Sequence, residues 1–313
     1  MSDFEKQKNL NQPSSASPKT RKFAREMGVN INQVSGSQRG GRVVEDDVKN
    51  FISSKMMNVS EIKESKSNKI KNEFEHFDFG EIEIKDIPRV KKLASTYLVN
   101  SWTTIPHVTN HEEVDITEME NFRNSLTDIY SGEKIKITPL AFIIKALVAS
   151  LKKFPNFNSS IDNIENGKMT LKKYYHIGIA VDTSNGLMVP KIRNVDNKKI
   201  LLISKELKEV SELCRNLKID KKELFGGSMT ITSLGGIGGS FFTPIINYPE
   251  VAILGIGKSQ KKQIFINGKF QTRTMLPISL SYDHRIIDGA EAARFNNDLK
   301  ENLGRNFAYK LAI

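Results

Sequence analysis

The sequence predicts a mixed α/β (α+β) protein, in which a large domain of helices and strands follows a small all-α domain. Short apolar stretches bounded by glycine, proline or polar clusters indicate strands in the second half of the chain. Longer stretches with apolar residues at helical spacing indicate helices between these strands. Because the two patterns alternate, we expect them to share one domain. The predicted strands are 105–114, 174–181, 187–190, 228–233, 251–257 and 275–281.

Two helix starts in the large domain are explicit in the sequence. Asp115 and Glu118 have the spacing of a capping box, which predicts a helix that continues to Tyr130. Thr138 followed by Pro139 predicts the start of a buried helix. A third helix is predicted from amphipathic spacing over residues 200–217.

Residues 17–52 are predicted to form the small domain. Ser17 followed by Pro18 is a favoured helix start, and Gly28 is a favoured residue just beyond a helix end. A glycine-rich loop then leads to a second helix, which begins at Glu45. Since about 35 residues bury little apolar surface, this unit is typical of a minimal binding module.

Arginine side chains recur in the small domain. Arg21 and Arg25 lie four residues apart, on one face of the first predicted helix, and Arg42 ends the glycine-rich loop. Two interpretations remain open: ordinary surface charge, or a guanidinium patch that binds an acidic partner.

Polar segments flank the small domain. Residues 1–16 contain Ser, Pro and other polar residues and are predicted to be a flexible leader. Residues 53–77 have mixed charge and few core-forming residues, which predicts a flexible linker. The large domain is therefore predicted to span residues 78–313.

Composition argues against several classes of protein. Hydrophobic residues make up 38% of the 313 residues, which is enough for a core. The longest apolar run, 139–151, contains a lysine and is too short to span a bilayer, so no membrane association is expected. The N-terminal residues lack the apolar segment of a signal peptide, and the single cysteine, Cys214, permits no intrachain disulfide. Both features predict a cytoplasmic protein.

The positive charge predicts no nucleic-acid partner. The net charge is +11, but the lysines are scattered and no aromatic-basic RNA signature or helix-turn-helix is present. We interpret most of this charge as solvated surface. No metal site is expected either.

A cluster of polar residues follows the last predicted strand. His284 comes at its end, Asp288 follows four residues later, and Gly289 is next. A histidine at a strand end, with a carboxylate nearby and a glycine behind it, is one way to present a general base. The alternative is a structural histidine. The presence of Asp283 and Arg285 in the same short turn favours the general base.

A glycine-rich segment follows the strand predicted at 228–233. It lacks the Lys and Ser or Thr of a P-loop, and its glycine spacing differs from the dinucleotide-binding fingerprint. We interpret it as a strand that ends by exposing a hydroxyl group, that of Thr232 or Ser233. The glycines would permit a neighbouring chain or a ligand to approach closely.

Several of these motifs together resemble one family, the dihydrolipoamide acyltransferases. Residues 282–289 are similar to its DHRxxDG signature. Residues 17–26 and 36–43 resemble its peripheral subunit-binding domain. Further similar motifs occur in the same order at 105–109, 179–190, 230–235 and 243–255. Three segments most resemble acetyltransferases of the pyruvate dehydrogenase complex: 79–83, 156–160 and 249–255.

The resemblance implies a fold and a reaction for the large domain. The fold would be like that of chloramphenicol acetyltransferase, in trimers with active sites between subunits that bind coenzyme A and the lipoyl group. By the same resemblance, His284 would take the proton of the coenzyme A thiol and Thr232 would stabilise the oxyanion. Asp288 would hold the local turn, with Gly289 relieving its backbone. Ser233 and Gly289 would contact substrate.

The resemblance also implies partners. The trimers would assemble into a larger core, by analogy of 24 chains. Arg21, Arg25 and Arg42 would bind dihydrolipoamide dehydrogenase or the pyruvate dehydrogenase subunit. Gln38 replaces a glycine that is usual in the family, so we expect an altered turn there.

One family feature is not found in this sequence. Members normally begin with lipoyl domains, and residues 1–16 contain none. We therefore expect the lipoyl arm to be supplied in trans. Two alternatives stay open: a scaffold that recruits partners without catalysis, and the same chemistry on succinyl or branched-chain acyl groups.

Overall fold

The computed structural model describes residues 15–53, 76–127, 130–163, 165, 167–304 and 307. The chain divides into two compact units, Met1–Ile84 and Lys85–Ile313, and each is described on its own. The predicted leader and linker lie almost entirely outside the described residues. The domain bounds given above therefore stay predictions.

The small unit contains two helices, α1 (Pro18–Glu26) and α2 (residues 45–53). The first helix starts as predicted, because the Ser17 side-chain oxygen accepts a hydrogen bond from the Thr20 N–H at 3.1 Å. Gly28, just beyond its end, has a φ of 68°, which glycine adopts without strain. Apolar side chains of the helices and the intervening loop form a small core: Ala24, Val34, Val43 and Val48.

The loop between these helices depends on glycine. A Cβ on Gly36 would lie 2.3 Å from the carbonyl oxygen of Gly41, so the backbone leaves no room for a side chain. Gly40 and Gly41 have φ values of 76° and 73°, whereas Gln38 lies outside the left-handed region. The Gly41 N–H donates to the Gln38 carbonyl at 2.9 Å. Glycines occupy the positions with positive φ, so Gln38 bears no backbone strain. An altered turn relative to the family stays a prediction.

One main sheet organises the large unit. Its strands are β1 (His107–Asp115), β4 (Ile177–Ile179), β7 (Lys191–Ile192), β8 (Met229–Ser233), β9 (Ala252–Ile256), β10 (Gln260–Ile266) and β11 (Lys269–Asp283). The order is β1-β11-β9-β8-β4-β7, with β10 paired to β11. β8 is parallel to both β4 and β9, and the other pairs are antiparallel. Separate two-stranded sheets join β2 (Ser159–Asn163) with β3 (Lys168–Leu171), and β5 (Val181–Thr183) with β6 (Gly186–Met188).

Helices supply the rest of the core. They are α3 (Arg89–Thr104), α4 (Thr117–Ser125), α5 (Pro139–Lys153), α6 (Ile200–Arg215) and α7 (Gly289–Leu303). The α5 helix begins as predicted, since the Thr138 hydroxyl oxygen accepts from the Leu140 N–H at 3.4 Å. Phe157 stacks on Phe295 of α7 with 4.1 Å between ring centroids. Within the described ranges, none of the helices has the length and apolar character needed to cross a bilayer.

Two predicted elements are wrong, and four strands were not predicted. The α4 helix ends at Ser125, and Asp115 makes no capping box: its carboxylate accepts from the Thr117 N–H at 3.0 Å while its backbone still belongs to β1. The strand predicted at 174–181 is divided between β4 and β5, which belong to different sheets. Strands β2, β3, β7 and β10 were not predicted, although β10 forms a hairpin with β11.

Candidate active site

The turn after β11 holds His284 by its backbone. The His284 N–H donates to the Pro106 carbonyl at 3.1 Å, and its side chain is exposed. The neighbouring Tyr282 ring lies 6.0 Å away between centroids. In the described part of this chain, the imidazole has no hydrogen-bond partner. The ring is therefore available to a group that comes from outside the chain.

Two other histidines are used structurally. His107 donates from Nδ1 to the Ile105 carbonyl at 2.7 Å, and its Nε2 accepts from the Ile246 N–H at 3.0 Å. The Nδ1 of His176 accepts from the Asn194 N–H at 3.0 Å, and burial holds the pKa of His176 below its usual range. These rings fix loops, so they are weaker candidates for proton transfer than His284.

A buried ion pair shapes the turn. Asp283 is 1% exposed and pairs with Arg285, whose Nη2 lies 2.6 Å from Oδ2 and whose Nε lies 2.9 Å from Oδ1. The Arg285 N–H also donates to Oδ1, at 3.0 Å. The hydrogen bond to Asp283 raises the pKa of Arg285. This pairing was not predicted. Its signal in the sequence is a carboxylate at the end of a buried apolar strand, since a buried charge requires a partner.

Asp288 is the N-cap of α7. Its Oδ1 accepts from the Glu291 N–H at 2.7 Å, and its side chain is exposed. Gly289 opens the helix and does not have a positive φ. A Cβ there would meet only the Tyr282 hydroxyl, at 3.9 Å. The expectation that Gly289 relieves the backbone is therefore wrong, because the helix start is compatible with a side chain.

The end of β8 presents the predicted hydroxyl groups. Thr232 is half-buried and Ser233 is exposed. The Ser233 side-chain oxygen accepts from the Gly235 N–H at 3.4 Å, which starts the glycine turn. The neighbouring strand position, Gly255, has no side chain, and a Cβ there would lie 2.8 Å from the Phe242 ring. The glycine thus lets an aromatic ring approach the sheet beside Thr232.

Thr232 and His284 do not meet within one chain. The register places Thr232 opposite Gly255, and Gly255 opposite Ser279 of β11. Asp283, which precedes His284, lies four residues farther along β11 than Ser279. Two strand spacings across and four residues along the sheet amount to roughly 16 Å between the Thr232 and Asp283 Cα atoms. The predicted base, after the end of β11, and the predicted hydroxyl donor, near the end of β8, therefore lie at opposite ends of the strands of the main sheet.

The predicted partner-binding arginines lie in the small unit. Arg25 and Arg42 are exposed, and Arg21 is half-buried. The Arg25 Nε donates to the Arg21 carbonyl at 3.3 Å, as expected for residues one helical turn apart. Two guanidinium groups are thus presented to solvent from this unit.

Comparison with known proteins gives two family matches. Residues 80–308 match the family described as 2-oxoacid dehydrogenases acyltransferase (catalytic domain). Residues 15–49 match the e3 binding domain. The two matched segments fall on the large domain and the small domain of the sequence analysis.

Curated relatives share most of this chain. It is 46% identical over 291 residues to the dihydrolipoyllysine-residue acetyltransferase component of pyruvate dehydrogenase complex from Cupriavidus necator, covering 90% of this chain and 52% of that protein. It is 44% identical over 289 residues to the protein of the same name from Buchnera aphidicola subsp. Acyrthosiphon pisum, covering 90% and 70%. The chain thus spans about half the length of the first relative.

Solved structures agree with this grouping. The dihydrolipoamide acetyltransferase of Azotobacter vinelandii has a TM-score of 0.71 and 45% identity, over 75% of this chain and 97% of that chain. The cubic core of a pyruvate dehydrogenase multienzyme complex has a TM-score of 0.71 and 44% identity over the same shares.

The Azotobacter structure also supplies a spacing. A serine, a histidine and an asparagine were investigated for their role in its catalytic mechanism, and the histidine lies 52 residues after the serine and four before the asparagine. His284 lies 52 residues after Thr232 and four before Asp288. Threonine keeps the hydroxyl of serine, while Asp288 replaces an amide with a carboxylate.

Fold and sequence lead to one assignment. The predicted mixed α/β fold with a small helical domain is confirmed by the structure and by the solved acetyltransferases that match it. The family match covers most of the chain, and relatives with at least 40% identity cover 90% of it or more. The chain therefore belongs to the 2-oxoacid dehydrogenase acyltransferase family.

Proposed function

We propose that the large unit transfers an acetyl group between dihydrolipoamide and coenzyme A, as part of a pyruvate dehydrogenase complex. The family match supports acyl transfer, and the names of the relatives support the acetyl group. The observation that carries the proposal is the exposed imidazole of His284, held by its backbone and by the buried Asp283 turn.

His284 acts as the general base. A free thiol has a pKa of about 8.5 and is mostly protonated at neutral pH, whereas the thiolate is the nucleophile. The imidazole takes the proton of the coenzyme A thiol, and the sulfur attacks the carbonyl carbon of the acetyl thioester. When the tetrahedral intermediate collapses, the carbon–sulfur bond to dihydrolipoamide breaks and the departing sulfur takes the proton from the imidazolium.

Thr232 stabilises the intermediate. Its hydroxyl donates to the oxyanion that forms when the carbonyl is attacked. Ser233, exposed at the end of β8, and Gly289, exposed at the start of α7, contact the substrates. Asp288 positions the His284 turn by capping α7. The equal spacing of Thr232, His284 and Asp288 to the three residues studied in the Azotobacter enzyme supports these roles.

The active site is formed between two copies of the chain. Because the Cα atoms of Thr232 and of Asp283, the neighbour of His284, lie roughly 16 Å apart in one chain, a single copy does not supply both groups to one carbonyl carbon. Helix α3 supports association, since it exposes Leu93, Tyr97, Val99 and Trp102, each at least 58% exposed. We propose trimers, and a larger core like the cubic core of the matching structure.

The small unit recruits partners to that core. Its match to the e3 binding domain supports dihydrolipoamide dehydrogenase as one partner, with the pyruvate dehydrogenase subunit as another. Arg21, Arg25 and Arg42 supply the positive surface for an acidic patch. We infer that the assembly works in the cytoplasm, where a chain with one cysteine, Cys214, needs no disulfide.

Turnover by the full chain tests the proposal. The chain is mixed with free dihydrolipoamide and with acetyl-, succinyl- or isobutyryl-coenzyme A, and thioester formation is followed. We expect the acetyl donor to have the highest kcat/KM, and His284→Ala to lower kcat by about 100- to 10,000-fold without loss of assembly. An assembled wild type without turnover would support the scaffold alternative.

A further inference from the structure

A second buried ion pair lies at the main sheet, on residues that the proposed reaction does not use. Lys191 of β7 and Glu250, two residues before β9, approach to 2.9 Å between Nζ and Oε1, and their side chains are 1% and 2% exposed. The Thr230 hydroxyl donates to Oε2 at 2.6 Å. The Asn247 amide donates to Oε1 at 3.1 Å. One carboxylate therefore joins two strands and a loop.

The fold reserves space for this pair. A Cβ on Gly178 would lie 2.6 Å from the Lys191 Nζ and 2.6 Å from the Thr230 Oγ1. A Cβ on Gly227 would lie 2.3 Å from the Glu250 Oε1. Glycines on two segments thus leave room for charged groups that apolar side chains would otherwise exclude.

Stability alone is a weak reason for such a pair. Removing two charges from water costs several kcal/mol per ion, and well-packed apolar residues of similar volume are often as stable. A buried pair that is retained can instead fix the register of the segments it joins. Lys191 and Glu250 hold two segments in place, strand β8 and the loop before β9.

One of the two segments held by this ion pair is β8, which carries Thr232. Thr230 and Thr232 lie two residues apart on β8, so their side chains are on the same face of the sheet. The short bond from the Thr230 hydroxyl to Glu250 fixes β8 immediately before the position of the proposed oxyanion donor.

The other segment leads to His284 by two routes. The carbonyl of Val251, next to Glu250, accepts from the Asp283 N–H at 2.9 Å. At the other end of the same loop, the Ile246 N–H donates to the His107 ring at 3.0 Å. His107 directly follows Pro106, whose carbonyl accepts from the His284 N–H. The loop tied by Glu250 thus supports the His284 turn from both sides.

We propose that Lys191 and Glu250 are positioning residues that set the places of Thr232 and His284, an inference that rests on the proposed acyl transfer. Both side chains are buried, so they act through the segments that they hold and not by contact with substrate. Their contribution is to kcat, because a displacement of about 1 Å at the reacting groups can cost about 100-fold in rate.

The test compares two variants of the full chain with the wild type. Lys191→Met with Glu250→Gln removes both charges but keeps an acceptor for Thr230. We expect kcat to fall about 10- to 100-fold, with a melting temperature within about 4 °C of the wild type and the same sedimentation. The KM for coenzyme A should stay within about twofold. Thr230→Val cuts only the link to β8 and should lower kcat about 3- to 10-fold.

A matched control separates positioning from general packing. Asp298 is another buried carboxylate, bonded to Ser150 and Asn302 between α5 and α7. Asp298→Asn should lower the melting temperature and leave the kcat of the folded protein unchanged. The inference is overturned if both the double variant and Thr230→Val keep the wild-type kcat. If the double variant does not assemble, the kcat of Thr230→Val decides the test. A wild type without turnover would instead refute the proposed function.

Discussion

At the scale of single residues, His284 owes its place to backbone bonds. Its N–H is held by Pro106, and the preceding Asp283 is held by Arg285 and by the Val251 carbonyl. None of these bonds uses the imidazole, so the ring keeps both nitrogens for proton transfer. This arrangement accounts for an exposed histidine on a rigid turn.

The hydroxyl of Thr232 gives a graded prediction. Thr232→Ala removes the proposed oxyanion donor and should lower kcat by about 100- to 1000-fold, whereas KM should change little. Thr232→Ser keeps the hydroxyl and should retain most of the activity. Steady-state kinetics with both substrates measure this. Equal activity of the alanine and serine variants would show that the hydroxyl is not the donor.

The sequence predicted part of this site for a physical reason. His284, Asp288 and Thr232 carry chemistry in short motifs, so they are visible without a structure. Glu250 and Lys191 lie 59 residues apart and meet only through the sheet pairing. Nothing local distinguishes them from other charged residues, and their burial comes from tertiary contacts.

At the scale of elements, the start of α7 depends on Asp288. Asp288→Ala leaves the Glu291 N–H without its side-chain acceptor and should lower the free energy of unfolding by about 1 kcal/mol. Asp288→Ser keeps a capping oxygen and should restore most of it. Urea denaturation followed by circular dichroism measures the difference. An alanine variant as stable as the wild type would mean that water satisfies this helix end equally well.

Side-chain caps made some elements predictable and others not. Ser17 and Thr138 each precede proline and cap helices as expected. Asp115 failed as a capping-box residue because its backbone is still part of β1. The β10–β11 hairpin has a recognisable turn sequence, Asn267 followed by Gly268. Both residues have positive φ, as a type I′ turn requires.

The small unit carries a pH-sensitive contact. The Asp47 carboxylate accepts from the N–H groups of Val44 and Ser37, each at 3.0 Å, and these bonds lower the pKa of Asp47. A depressed pKa in the folded state means that the unfolded chain binds more protons in acid. This contribution is complete above the unfolded pKa of about 3.9 and is lost as pH falls through the folded value.

Amide hydrogen exchange in the full chain measures this contribution. Protection of residues 15–53 should be constant from neutral pH to about pH 5 and should decrease below about pH 4, after correction for intrinsic exchange. Asp47→Asn should remove this contribution to the acid-dependent decrease. A decrease of the same size in the asparagine variant would assign the effect to other groups.

For the whole molecule, we propose that each chain contributes to two active sites, His284 to one and Thr232 to the other. The sheet register separates the two proposed catalytic groups, and exposed apolar side chains on α3 provide a surface for association. The register was not readable from the sequence, because it is set by pairing between strands that are distant in the chain. Each proposed active site therefore requires a partner copy of the chain.

Complementation between two inactive variants tests this claim most directly. Chains with Thr232→Ala and chains with His284→Ala are prepared separately and then co-assembled in equal amounts. If each site takes its histidine from one copy and its threonine from the next, random trimers should recover about one quarter of the wild-type kcat per site. If both groups act within one chain, every site carries a defect, and a mixture no more active than the separate variants would contradict the account.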